Sequence, residues 1–208
     1  MPRVRVHQHV NPLSPYFCFT PKPVELGVIF ADPKLPLHLD IGAARGRFIL
    51  KMAEQFPAQN FLGVEIREPL VIEGNRLAQE RNLTNLHYEF NNATHSLDRL
   101  LEKLPAEILQ TVTIQFPDPW YKKKHAKRRM VTDSLVVTIL EHLTVSGRIF
   151  VQTDVDFLAE EMFALFREND RLRETRISEN PFPIKTEREI AVEEKLLPVY
   201  RGLFEKTK

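Results

Sequence analysis

Short apolar runs alternate with longer stretches of helical spacing through most of this chain. "LPLHLDIG" is an apolar strand ending at an acid and a glycine. "GRFILKMAEQF" follows, with apolar residues at Phe48, Ile49, Met52 and Phe56, the spacing of one helix face. "NFLGVEI" predicts a second strand and "PLVIEGNRLAQERN" a helix with proline near its start. "NLHYEF", "SLDRLLEKL" and "TVTIQF" continue as strand, helix and strand. "TDSLVVTILEHL" opens on cap-type residues and runs on as a helix, and Gly147 allows a turn into the strand "RIFVQT". "VDFLAEEMFALFREN" is again helical. Strands alternating with helices predict parallel βαβ units and an open, doubly wound, mostly parallel α/β sheet. "LRETRIS" and "LPVYRGLFEK", separated by "ENPFPIKTEREIAVEE", predict an antiparallel pair that finishes one edge. Residues 1–35 are proline-rich, with Arg3, Arg5, His7 and His9 near the start, and predict an irregular arm on a single domain spanning 36–208.

Composition adds limits. The 208 residues suffice for one substantial core, and 43% hydrophobic with 27% charged is the balance of a soluble globular protein. No run approaches the ~20 apolar residues that cross a bilayer, and "MPRVRVHQHVNPLSPYF" lacks an apolar core of secretory length. Cys18 is the only cysteine, which excludes an internal disulfide and a cysteine-built zinc site. His7, His9, His38, His87, His95 and His142 show no metal-ligand spacing, so no metal is expected. The expected setting is cytoplasmic, without membrane association, as monomer or homodimer. The net charge of +1 hides a local concentration: six of the eight residues from Lys122 to Arg129 are basic.

In open α/β sheets, ligands bind beyond the carboxyl ends of the strands. The five central strand ends carry Asp40 with Gly42 and Gly46, then Glu65, Asn91 with Asn92, Asp118, and Asp154. "DIGAARGRF" fails the dinucleotide fingerprint, because Ala44 and Arg47 stand where glycines are needed, which disfavours a nicotinamide oxidoreductase. An acid at Asp40 suits an ammonium better than a pyrophosphate. Glu65 suits the paired hydroxyls of a ribose, and Asn92 the edge of an adenine. An acid for an ammonium, an acid for a ribose and an amide for an adenine together describe S-adenosylmethionine. Helix caps and turn residues are the plain alternative for the same positions.

"LDIGAARGRF", "FLGVEI", "FPDPWYKKKHAKRRMV" and "QTD", in that order and spacing, resemble the tRNA (guanine-N7)-methyltransferases. The resemblance runs from about residue 36 to the C-terminus, and its most specific element is Pro-Asp-Pro-Trp followed by the basic run. It implies a methyltransferase sheet with a seventh, antiparallel edge strand, S-adenosyl-L-methionine as cofactor, and methylation of a guanine N7 in the variable loop of tRNA. It places cofactor contacts at Asp40, Glu65, Asn92 and Asp118, with Gly42 and Gly46 in the first loop. Substrate contacts fall at Lys122, Asp154 and Thr186, Glu187, Arg188 and Glu189. RNA contacts fall at Lys124, His125, Ala126, Lys127, Arg128 and Arg129. The chain departs from the family pattern at Asp40 (usually Glu), Asn92 (usually Asp), Ala44 (usually Gly) and Arg188 (usually an aromatic).

The residue types fit that chemistry. Guanine N7 already has an in-plane lone pair, so no proton need leave before it attacks, and the task is positioning and electrostatics. Asp118 is the catalytic candidate, favouring the positive charge that develops on the purine, and Asp154 can share that work. Trp120 or Tyr121 offers a face for an unstacked base, although Trp120 reads equally as a core aromatic. The basic run suits phosphates. Targets needing deprotonation call for a histidine or tyrosine base, and the fourth strand end shows none well placed.

Overall fold

The computed structural model describes residues 10–208, so Arg3, Arg5, His7 and His9 of the expected arm lie outside the described residues. Seven strands form one sheet: β1 (Leu37–Ile41), β2 (Asn60–Glu65), β3 (Leu86–Phe90), β4 (Leu109–Gln115), β5 (Leu143–Thr153), β6 (Leu172–Thr175) and β7 (Tyr200–Lys206). Their order is β3-β2-β1-β4-β5-β7-β6. β1 to β5 are mutually parallel, and β7 runs antiparallel to both β5 and β6. The expected antiparallel pair therefore finishes the edge, with β7 one place in and β6 outermost. The direction of winding reverses between β1 and β4, which opens a crevice at their carboxyl ends.

The helices are α1 (Leu26–Ile29), α2 (Arg47–Gln55), α3 (Glu68–Glu80), α4 (Ala93–Leu101), α5 (Asp133–His142), α6 (Asp156–Arg167) and α7 (Glu187–Glu193). α7 lies in the stretch that apolar periodicity leaves as a connection. Its signal is a different one. Thr186 and Glu189 have the spacing of a capping box, and the Thr186 hydroxyl accepts the Glu189 N–H at 3.1 Å.

The two-residue repeat of β1 divides the core. Leu37, Leu39 and Ile41 point to the face covered by α4, α5 and α6, where Val24, Leu26 and Phe30 from the expected arm are also buried. His38 and Asp40 point to the opposite face, near the cluster that α2 and α3 form over Phe61 and Tyr88. Phe182 folds back from beyond β6 to reach His38, Phe48 and Phe150, ring centroids 5.3, 5.8 and 5.6 Å away. That anchor carries the following segment, with α7, towards the crevice.

Tyr88 ties this face to the first loop. Its ring lies in a socket formed by Gly46, Gly63 and Gly74, where a Cβ would stand 2.2, 2.6 and 2.9 Å from ring carbons. Its hydroxyl donates to the Gly46 carbonyl at 2.7 Å. Gly63 has no left-handed backbone to protect, so its role is purely steric. Gly63→Ala should destabilise the fold by ~1–3 kcal/mol through overpacking, because the new methyl meets Tyr88 and Ile49 at 2.6 and 2.7 Å. Urea unfolding checks this, and an unchanged midpoint would refute the socket.

Candidate active site

An open cleft of about 1910 Å³ lies over the carboxyl ends of β1, β2 and β4. It brings together Asp40, Gly42, Gly46, Glu65, Asn92, Asp118 and Asp154, with Thr186, Glu187 and Arg188 across the mouth. These positions span more than half the chain. The parallel register makes the strand-end residues neighbours, and the Phe182 anchor brings Thr186, Glu187 and Arg188 to them.

Asp40 is buried, and Thr113 Oγ donates to its Oδ1 at 2.6 Å. Burial pushes its carboxyl up to about 6, an effect the Thr113 hydroxyl and the nearby Gln115 amide oppose and the Glu65 charge reinforces. Among the described residues, Gln115 Nε2 makes no hydrogen bond of full geometry. A carboxylate with an amide donor beside it complements the ammonium and carboxylate of an amino acid. The loop above turns on left-handed backbone at Gly42 and Gly46, which hold φ values of 80° and 65°. Ala44 holds 52° there, so the residue standing where the family has glycine keeps the left-handed backbone that glycine favours.

Glu65 is more engaged than a ribose-reading acid needs to be. It accepts from Ala44 N–H at 2.8 Å and from Arg67 N–H, Nε and Nη2 at 3.0, 2.7 and 3.1 Å. Those four donors match the roughly four acceptor sites of a carboxylate. Two ribose hydroxyls can enter only as the Arg67 guanidinium yields. Asn92 is also occupied: its amide donates to the Pro12 carbonyl at 2.9 Å and approaches that of Phe17 at 3.4 Å. A carboxylate at this position has no proton to offer those carbonyls, which accounts for the amide here. Phe19 stacks on Phe90 at 5.0 Å beside this contact, and Val10 and Pro12 reach the cleft wall.

Asp118 is exposed within Phe116-Pro-Asp-Pro-Trp120, whose end residues hold φ of 51° and 44°. Such backbone costs about 1–3 kcal/mol per residue unless the surroundings impose it. Arg129 helps impose it, donating from Nε to the Pro119 carbonyl at 3.1 Å and reaching the Trp120 carbonyl, while pairing with Glu161. Arg128 lies over the Trp120 ring at 4.9 Å, with His125 edge-on at 5.7 Å. Trp120 is thereby a packed, half-buried ring, and Tyr121, 70% exposed, is the open face. Partial desolvation and surrounding cations hold His125 below its ordinary range. Lys123 to Arg128 form a 3-10 turn in which Lys123, Lys124 and Lys127, with Lys122 before them, face solvent. Ala126 is half-buried.

The segment Thr186 to Glu189 splits in two. Glu187 pairs with Arg47 and Arg188 with Asp154, both across the cleft mouth. Glu189 instead is fully buried, accepting from Arg201 at 2.9 Å, Gln152 at 3.0 Å and Asn180 at 2.7 Å. It anchors α7 to the sheet rather than facing the cleft.

The family described as "Putative methyltransferase" matches residues 34–201. The YcgJ protein of Bacillus subtilis shares the fold with a TM-score of 0.56 at 16% identity, over 84% of this chain and 93% of that one. An rRNA methylase from Streptococcus thermophilus does so with a TM-score of 0.53 at 12% identity, over 88% and 92%. Strand order, an acid-lined switch point and that match define the class, a methyltransferase on a doubly wound sheet. The chain is also 50% identical over 210 residues to the tRNA (guanine-N(7)-)-methyltransferase of Trichormus variabilis, covering 99% of this chain and 98% of its relative. It is 52% identical over 207 residues to that of Synechococcus elongatus, covering 98% and 97%. The chain belongs to the tRNA (guanine-N(7)-)-methyltransferase family.

The raised Asp40 carboxyl carries a stability prediction. Its value of about 6 in the fold exceeds the ~3.9 of an unfolded aspartate, so the fold favours the protonated form. The stability this contributes is full below about pH 4 and lost as pH rises through about 6. Asp40→Asn should therefore be about 3 kcal/mol more stable than the native chain near pH 8, and equal to it near pH 4. Urea unfolding at both pH values checks this. A difference independent of pH would refute it.

Proposed function

We propose that this chain transfers the methyl group of S-adenosylmethionine to N7 of a guanine in the variable loop of tRNA, in the cytoplasm. The observation that carries the reading is the strand-end turn that presents Asp118 to the cleft beside a solvent-facing row of lysines. Asp40 and the Gln115 amide fit the amino acid end of the cofactor, and Glu65 fits its ribose once Arg67 yields. S-adenosylmethionine, when bound, supplies an electrophilic methyl group.

The chain's own residues do the rest. Asp118 accepts hydrogen bonds from the guanine N1–H and amino group and favours the positive charge that grows on the purine. No general base is required, since N7 attacks through its lone pair. Tyr121 offers a stacking face for the extruded base. Asp154 joins Asp118 once Arg188 releases it. Arg188 is 57% exposed and free to swing outward, whereas Asp154, at 14%, keeps its charge only if the incoming base replaces that partner. Arg188, freed, is a cation at the cleft mouth where the flanking phosphates pass.

Incubation with bulk tRNA and labelled S-adenosylmethionine, followed by nucleoside analysis, tests the activity. Label should appear in 7-methylguanosine, and label only in another nucleoside would overturn the reading. Asp118→Asn should lower kcat by ~100–1,000-fold while tRNA affinity is largely kept, with no rescue by alkali. A near-normal rate would make Asp118 structural.

The basic run divides by orientation. Alanine at Lys122, Lys123, Lys124 and Lys127 should weaken tRNA binding and flatten its salt dependence by roughly 0.7–0.9 in logarithmic slope per lost contact. Arg129→Ala, whose side chain is 14% exposed, should leave the slope unchanged and lower kcat by loosening the Asp118 turn. Equal slope changes in both would refute this division.

A further inference from the structure

Behind Asp40, away from the cleft, two buried side chains continue its hydrogen bonding into the core. Thr113 stands opposite Asp40 in the β1–β4 register, on the same face of the sheet. Its hydroxyl donates to Asp40 Oδ1 at 2.6 Å, and His38 Nε2 lies 3.0 Å from the same hydroxyl oxygen. All three residues are at most 4% exposed. The proton positions follow from the donor inventory. An ionised carboxylate only accepts, so the single hydroxyl proton of Thr113 points to Asp40. Thr113 must then accept from His38, which fixes a neutral imidazole protonated at Nε2. His38 Nδ1, left as a bare lone pair, has no partner among the described residues, consistent with that tautomer. Aromatic rings enclose the imidazole, Phe61 at 5.4 Å and Phe182 at 5.3 Å.

We propose that Thr113 and His38 are positioning residues for the cofactor: a buried relay that aims Asp40 at the cofactor's ammonium group and keeps it ionised. The inference rests on the reading of Asp40 as that ammonium's partner. A donor already polarised by a second hydrogen bond is a stronger donor, so His38 acts on Asp40 through Thr113. The relay also accounts for aspartate where the family usually has glutamate. The shorter acid lies within reach of a hydroxyl on the neighbouring strand, which holds its carboxylate in one orientation. His38 stays neutral throughout the working range, because burial pushes it down to about 3. The groups that bear on Asp40 are His38 on its own strand, Glu65 with its Arg67 partner at the end of β2, Tyr88 on β3, and Thr113 and Gln115 on β4. Of these, the Thr113 hydroxyl is first among those favouring the charged form.

The test follows the ionisation of Asp40 directly, by carbon NMR of its carboxyl group across pH in the full chain. In parallel, calorimetry measures binding of S-adenosylhomocysteine, which keeps the cofactor's amino acid end. In the native chain the carboxyl titrates near pH 6, and affinity falls as pH drops through that value. Removing the hydroxyl destabilises the charged form, so Thr113→Val should move both midpoints upward by about one pH unit. Thr113→Ser should restore them. His38→Phe, which keeps an aromatic ring among aromatic neighbours, should move them the same way by less. It also stands in if the valine variant fails to fold. Carboxyl titrations that superimpose on the native curve in the folded variants would overturn the relay. Asp40→Asn separates the underlying reading: unchanged affinity in that variant would remove Asp40 from the cofactor site, leaving the carboxyl titration to judge the relay alone.

Discussion

A carboxylate carried to the end of a wholly buried strand resists ionisation, because water can no longer solvate its charge. Asp40 occupies that position between two strands that are themselves covered on both faces. The surroundings answer with dipoles. The Thr113 hydroxyl and the Gln115 amide ease the charge without neutralising it, so an unmatched negative site remains for a cationic ligand. The loop above turns on left-handed backbone at Gly42, Ala44 and Gly46, and the Tyr88 hydroxyl pins the last of them. The cleft is thus shaped by how this single charge is held. Stability is lost to keep it in place.

The other cleft acids are managed differently, each with an arginine partner. Glu65 is held by Arg67, Asp154 by Arg188 and Glu187 by Arg47. Water screens the Glu187–Arg47 pair on both sides, so it exchanges partners at little cost, whereas in the Asp154–Arg188 pair only the arginine is well exposed. That arrangement suits a site that must receive a polyanion and a neutral base together. In the proposed function, the arginines turn to phosphates as the acids turn to the base. Deeper pairing, as at Glu189 with Arg201, Gln152 and Asn180, is not of this kind. It fastens α7 so that its exposed first turn presents Glu187 and Arg188 to the cleft.

The basic run shows the same separation between holding and contacting. Positive φ at Phe116 and Trp120 bends the chain sharply around Asp118. Arg129 and Arg128 are used to hold that bend, through carbonyls and through the indole face. The lysines remain outside. A run of six cations in eight residues is therefore two structures in one, a clamp and a solvent-facing row of lysines. Composition registers only their sum.

Periodicity carried the strands and most of the helices, because which neighbours share a face is decided within a turn or two of chain. The strand-end acids were equally legible, since a parallel sheet gathers its carboxyl ends whatever the side chains do next. α7 was legible too, though in its capping box and not in its apolar spacing. Partner choice was not. Thr113 meets Asp40 across 73 residues of sequence, and Asn92 meets the Pro12 carbonyl across 80. Whether Glu189 faces a substrate or Arg201, and whether Arg129 faces a phosphate or the Pro119 carbonyl, depends on the register of distant strands. Residue type and local spacing determined which chemistry this chain can perform. Only the packed sheet decided which side chains are spent on holding the site and which are left to do the work, because a hydrogen bond is settled by geometry within about 3 Å, and sequence distance does not encode that.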